Sequence, residues 1–227
     1  MDPFIYGLYS LFYLFLFLWG LKLSINNRQF SLINVLLLVT FGLLYDNCVL
    51  AFGSLIGEGN LLKGLNLTRY WIHAIITPTL ILFSWSAVRN AGVDWLDSRA
   101  GFITSALLTA ALIVWELVSN TVGIVVEPTR KYGVLSYEPV QTQGPSVMVI
   151  GVSVILLLAG MILWKKLKWK WMAIGVIIMS IGSLVSFPVN SEAIVNGFEL
   201  ILIFSLLATK AFLERRRISK ADSINDQ

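Results

Sequence analysis

Val147 through Trp164, VMVIGVSVILLLAGMILW, is eighteen residues without a charge, and KKLKWKW follows at once from Lys165 to Trp171. A bilayer core about 30 Å thick takes roughly 20 apolar residues per helical crossing. The stretch therefore reads as a membrane span, and the lysines and tryptophans behind it as the charge stop and aromatic belt of an interface. The same reading extends outward in both directions. Toward the N-terminus it predicts spans at Phe4–Leu21, Phe30–Ser54, Tyr70–Ala87 and Phe102–Val126, and toward the C-terminus at Trp171–Phe187 and Ala193–Leu213. These runs are too long for barrel strands, and unpaired backbone groups in hydrocarbon cost several kcal/mol each, so the spans are helices. The expected fold is all-α: a polytopic membrane protein whose residues 1–227 form one seven-helix transmembrane bundle, with 214–227 as a short basic tail.

Composition agrees. Of 227 residues 57% are hydrophobic and 13% charged, with a mean hydropathy of +0.79; a soluble domain carries about 45–50% apolar and about 25% charged residues. The excess has to face lipid, which excludes a cytosolic enzyme, a disordered chain and a secreted disulfide scaffold. Cys48 is the lone cysteine. The first span begins Met1-Asp2-Pro3 with no basic region before it and no small-residue cleavage site, so it reads as a helix rather than a signal peptide.

The basic residues sit at span ends. With seven crossings, one side collects Lys22, Arg28, Arg89, Arg99, Lys165, Lys166, Lys168, Lys170, Lys210, Arg215, Arg216, Arg217 and Lys220, and the other only Lys63, Arg69, Arg130 and Lys131. Thirteen against four places the N-terminus outside and the C-terminus in the cytoplasm, with the plasma membrane as the expected location. Orientation thus accounts for the pI near 9.2, and no nucleic-acid partner is expected; membrane lipid is.

Charged residues inside spans cost about 2.5–3.5 kcal/mol each on insertion scales and face the bundle interior. Here they follow helical spacing. The second span carries Tyr45-Asp46-Asn47, with Gly42, Asp46, Val49 and Gly53 on one face. The third carries Arg69, His73, Thr77 and Ser84 as one stripe beside Pro78. The fourth carries Ser105, Thr109, Glu116, Asn120 and Gly123, the sixth Ser183 and Ser186, and the seventh Glu192, Asn196 and Glu199. Asp46, His73, Glu116, Asn120, Asn196 and Glu199 all fall in the outer half of the bilayer, which predicts an outward-facing polar pocket. Small and hydroxyl-bearing residues also serve helix packing, and Asp46–Arg69 and Glu116–His73 also read as structural pairs.

The chemistry this set supports is narrow. His73 is the only histidine, which argues against a multi-histidine zinc site; no metal and no cofactor are expected. There is no nucleophile elbow, P-loop or dinucleotide fingerprint, and Gly57-Glu58-Gly59-Asn60 reads as a turn. Asn66-Leu67-Thr68 matches a glycosylation sequon. The last span lacks a mid-membrane lysine for a retinal Schiff base, since Lys210 lies at its cytoplasmic end. Acid–base work by carboxylates remains: a carboxyl in an apolar pocket can stay protonated at neutral pH and act as a general acid. The candidate catalytic residues are Glu116 as acid, Asp46 as the ionised partner of Arg69, and Glu199 as base or carbocation stabiliser. Arg69, His73, Asn120, Asn196, Tyr45, Asn47 and Glu192 are the candidate substrate-binding residues, with Trp71, Trp115 and Phe198 available for an apolar wall.

Trp115-Glu116-Leu117-Val118-Ser119-Asn120 resembles the Trp-Glu-apolar motif of the integral-membrane terpene cyclases of fungi and actinobacteria, small seven-helix bundles in which acidic residues protonate an isoprenoid. The likeness covers at most six of 227 residues, and in that family the motif sits in an earlier helix. It implies a lipid or isoprenoid substrate. A carrier for a small molecule coupled to protons or cations, and a ligand-binding sensor or accessory subunit, are the other classes these residues allow. The stretch from Glu127 to Ser146, with turn chemistry at Tyr132-Gly133 and Glu138-Pro139, is expected to be a lid over the pocket or a passive connector.

Overall fold

The computed structural model describes residues 1–26, 32–93, 98–140, 146–185 and 188–225. Predicted features at Arg28, Phe30, Ser186 and Phe187 lie outside the described residues. The chain is mostly helical, and among the described residues six helices are long and apolar enough to cross a membrane.

α1 spans Asp2–Asn26, with Pro3 in its first turn, where a missing N–H costs nothing. α2, Val35–Ile56, stops where Gly57 turns to φ 81°. The third span starts ten residues earlier than predicted: α3 covers Asn60–Ile76, a 3-10 turn Thr77–Thr79 holds Pro78, and α4 continues over Leu80–Asn90. Lys63, Asn66 and Arg69 make α3's first turns polar, and hydropathy alone reads them as loop. Pro78 cannot donate a backbone hydrogen bond, and the helix tightens locally instead of ending.

α5, Arg99–Glu116, opens with Ser98 accepting from the Gly101 N–H at 3.1 Å and runs into a π-helical turn, Leu117–Thr121. The predicted continuation to Val126 fails, because the chain there enters a β-hairpin: β1, Val126–Lys131, pairs antiparallel with β2, Val134–Pro139. Tyr132 and Gly133 form its two-residue turn, both at positive φ (50° and 90°), as a hairpin turn that matches strand twist requires. The expectation of helices alone missed this element.

α6, Val147–Leu167, is N-capped by Ser146 and ends with Lys168 left-handed. α7, Trp171–Leu184, is fourteen residues, rising about 21 Å at 1.5 Å per residue, so it is short for a crossing by itself. α8 begins at Ala193 as predicted but continues through the basic segment to Asn225. Lys210 on it is fully buried and bonded to Glu214.

One apolar core joins these helices: Tyr13, Leu36, Phe83, Leu156, Leu163, Met172 and Leu206 are all essentially inaccessible. Large apolar side chains such as Phe15, Leu55, Leu107, Val118 and Leu184 point outward. That inside-out pattern fits lipid as the surrounding solvent, and the chain is a multi-pass integral membrane protein.

The hairpin fixes which ends meet. Ser54 on α2 donates to the Gly133 carbonyl (2.6 Å) and accepts from the Leu135 N–H (3.0 Å). Tyr70 on α3 donates to the Tyr137 carbonyl (2.9 Å), and the Tyr137 hydroxyl accepts from the Gly59 N–H (3.1 Å). Asp2 on α1 accepts from the Glu192 N–H at 2.9 Å, just before α8. The starts of α1, α3, α6 and α8 and the ends of α2 and α5 therefore share one end of the bundle, the hairpin end. Gly53 permits the seating of β2, since a Cβ there would stand 2.1 Å from the Leu135 carbonyl oxygen.

Candidate functional site

The polar residues of α2 divide by direction. Asp46 faces the bundle, where its Oδ1 accepts from Arg69 Nε at 2.7 Å. Arg69 also donates through Nη1 to Asn66 Oδ1 at 2.8 Å, and the fully buried Asn66 donates to the Leu62 carbonyl at 2.8 Å. Charge-assisted bonds of this kind fix a guanidinium in direction as well as in charge. Asn47 is 0% exposed; it donates to the Leu43 carbonyl at 2.8 Å and accepts from Asn196 Nδ2 at 3.3 Å, tying α2 to α8. Tyr45 turns away, donates to the Leu65 carbonyl at 3.1 Å and packs beside Val49 and Leu62. It is a packing residue and lines none of the cavities described below.

Asp46, Arg69, His73, Asn196 and Glu199, from α2, α3 and α8, surround a cavity of about 240 Å³. Thr77 completes the α3 side and holds His73, its hydroxyl lying 3.2 Å from Nδ1. Glu199 has no hydrogen-bond partner among the described residues. Nearby in the core, the Tyr13 hydroxyl is buried without a partner as well.

Glu116 lies next door. Tyr70 and His73 belong to the wall of this cavity and also to that of a chamber of about 650 Å³, lined by Glu116, Ser119, Asn120, Thr121, Glu127 and Ser146. Glu116 is 7% exposed, and its Oε2 accepts from the Ser146 hydroxyl at 2.7 Å. The expected Glu116–His73 pair is thus replaced by two separate bonds, Glu116 to the cap of α6 and His73 to Thr77. The π-helical turn directly after Glu116 carries Ser119 and Asn120 into the same chamber; such turns recur at functional sites.

Glu192 lines neither of these two cavities. It meets Lys131 of the hairpin at 3.0 Å, and Lys131 meets Glu138 at 2.9 Å. Hydrogen bonds to these two carboxylates push the Lys131 ammonium above the ordinary lysine range. Glu192 and Lys131 line a third cavity of about 210 Å³ together with Asp2, Tyr6, Arg69, Ser136, Glu138 and Asn196.

Sequence patterning found the two carboxylates, the arginine, the histidine and the asparagine of the first cavity. Glu116, Asp46 and Glu199, expected to share one pocket, lie in two adjoining cavities, Asp46 and Glu199 in one and Glu116 in the other. Trp71 and Trp115 face outward, more than a third exposed, and Phe198 packs against Gly182. Ser105, Thr109, Ser84 and Ser183 bond to carbonyls of their own helices. The buried Asn66 in mid-helix removes the sequon reading. Asn66 and Ser146 were missed as site residues, though each left a trace: an amide three residues before Arg69, and a serine directly before an apolar run. Among the described residues no three His, Cys, Asp or Glu side chains converge as a metal site would need. No model of a known protein family matches the chain, and no curated protein is measurably similar to it.

Proposed function

We propose that this protein is an enzyme of the plasma membrane that performs carboxylate acid–base chemistry on a lipid or isoprenoid held at the hairpin end of the bundle. The observation that carries this reading is the convergence of Asp46, Arg69, His73, Asn196 and Glu199 on one cavity within an otherwise apolar bundle. Arg69 bonds to both Asp46 and Asn66, and the three form the fixed frame. Glu199, without a hydrogen-bond partner among the described residues, exchanges the proton, and His73 and Asn196 orient the substrate. Glu116, across the Tyr70–His73 wall, is the second acid. Protonation of an isoprenoid double bond is the reaction that the Trp115–Asn120 resemblance implies, and a catalytic carboxyl and a charge-stabilising carboxylate are the groups such a step requires.

The same reading includes seven crossings, with the hairpin end outside and the C-terminus in the cytoplasm. α6 runs away from the hairpin end and α8 starts at it, so the chain between Leu167 and Ala193 has to return across the bundle, and α7 lies on that return. The excess of lysine and arginine at the opposite end supports the orientation. A carrier needs a polar path to both ends. The far half of the core carries Phe83, Ala87, Leu163, Met172 and Leu207, and its buried polar groups are engaged with close neighbours, Thr209 with Trp169 and Ser205 and Lys210 with Glu214. A ligand-binding sensor without chemistry is the remaining alternative.

The test is an untargeted lipid and isoprenoid profile of membranes holding equal amounts of wild type, Glu199→Gln or Glu116→Gln. A species made or consumed by wild type and unchanged by Glu199→Gln membranes is the expected result. Identical profiles for all three overturn the enzyme reading.

A further inference from the structure

The chamber around Glu116 has a back wall and a rim of opposite character. Its back wall is polar, with Glu116, Asn120, Thr121, Tyr70 and the cap Ser146. Its rim includes Val122 and Val125, which are 62% and 68% exposed, and it lies between α3, which contributes Tyr70 and His73, and the end of α5. His73 and Ser119 are exposed as well, although both sit in membrane-spanning helices. On the side of the bundle end, the hairpin is held by four hydrogen bonds to Ser54, Gly59 and Tyr70, and its base, with Glu127 and Pro139, lines the chamber. The wall holds two carboxylates and no lysine or arginine. A phosphate would meet like charge there with no lysine or arginine to compensate it, and leaving such charges unpaired in a low-dielectric site is costly.

We propose that this chamber is a lateral entry site, open between α3 and α5 toward the outer leaflet, that admits a lipid-phase amphiphile whose polar end is an alcohol or amine rather than a phosphate. The inference deepens the enzyme reading by naming the substrate's route and polar group, and it rests on that reading only for what happens afterwards. A substrate entering here passes Glu116 and reaches Glu199 past His73.

The experiment reads access rather than turnover, so its failure is separable from failure of the enzyme reading. Cys48 is replaced by Ala, a reporter is placed as Ser119→Cys or, should that variant fold poorly, Val122→Cys, and Glu58→Cys in the exposed turn before α3 serves as the aqueous control. Protein in lipid vesicles is treated with apolar N-phenylmaleimide or with a membrane-impermeant sulfonated maleimide. The expected result is that the aqueous control reacts with both reagents and the chamber reporter with the apolar one only. Equal labelling of the reporter by the sulfonated reagent overturns lateral entry. Dodecanol and dodecylamine are then expected to slow apolar labelling by about tenfold, the equivalent of one well-made hydrogen bond, while dodecyl phosphate leaves it unchanged. Equal protection by dodecyl phosphate overturns the assignment of the polar group.

Discussion

Arg69 is the residue on which the site turns. Its guanidinium is nearly buried, and Asp46 supplies the compensating charge at 2.7 Å. Removing one partner of such a pair leaves the other stranded, at a cost of about 3 kcal/mol. Asp46→Ala is therefore expected to lower the thermal midpoint in detergent sharply, and adding Arg69→Leu to recover part of the loss; a double variant no better than the single one would show that the pair is not coupled. Lys131 makes a different expectation, through pH. Its ammonium is held above the ordinary lysine value by Glu138 and Glu192, so its contribution is complete below the unfolded value of about 10.4 and fades as pH rises through the raised folded value. The difference in thermal midpoint between wild type and Lys131→Met should be constant across neutral pH and shrink only in strongly alkaline buffer. Shrinkage already between pH 6 and 8 would contradict this.

At the scale of elements, the hairpin carries the consequences. β2 can approach α2 only because position 53 has no Cβ. Gly53→Val is expected to cost about 1–3 kcal/mol through overpacking and to loosen the hairpin, speeding trypsin cleavage after the already exposed Arg130 and Lys131 while the helices stay intact. Unchanged cleavage rates would mean that β2 is held chiefly by its hydrogen bonds to Tyr70 and Ser54. The hairpin also marks where sequence reading ran short. Val134, Leu135, Ser136 and Tyr137 are all buried, a run with no alternation, because β2 packs against α2 and α3 on one side and shelters a cavity on the other. Tyr132-Gly133 announced a turn but not the pairing of the residues beside it. The early start of α3 was hidden for a similar reason: a hydropathy window averages away a helix whose first turns carry Lys63, Asn66 and Arg69.

At the scale of the whole molecule, the arrangement of ends is the testable quantity. Single cysteines in the Cys48→Ala background are expected to divide cleanly: Glu58→Cys labelled by a charged maleimide in intact cells, Lys168→Cys only after permeabilisation. The reverse pattern would invert the bundle and place the polar cavities on the cytoplasmic side, leaving their geometry untouched. Labelling of both from outside would instead remove an odd number of crossings from between them.

Membrane character, the helical class and the identities of Asp46, Arg69, His73, Asn196 and Glu199 were legible in the sequence, because the cost of placing a charge or an open backbone group in hydrocarbon is incurred residue by residue and leaves a local mark. Helical spacing could also say which of them share a face. Which faces meet could not be read, since that depends on contacts between residues as distant as Asn47 and Asn196. Only the tertiary structure decided that Glu116 bonds to the cap of α6 instead of to His73, that the three acids occupy two chambers, and that a β-hairpin seats on a single glycine above them. Each of these is a pairing across the chain, fixed by how whole helices pack and by nothing in the local run of residues.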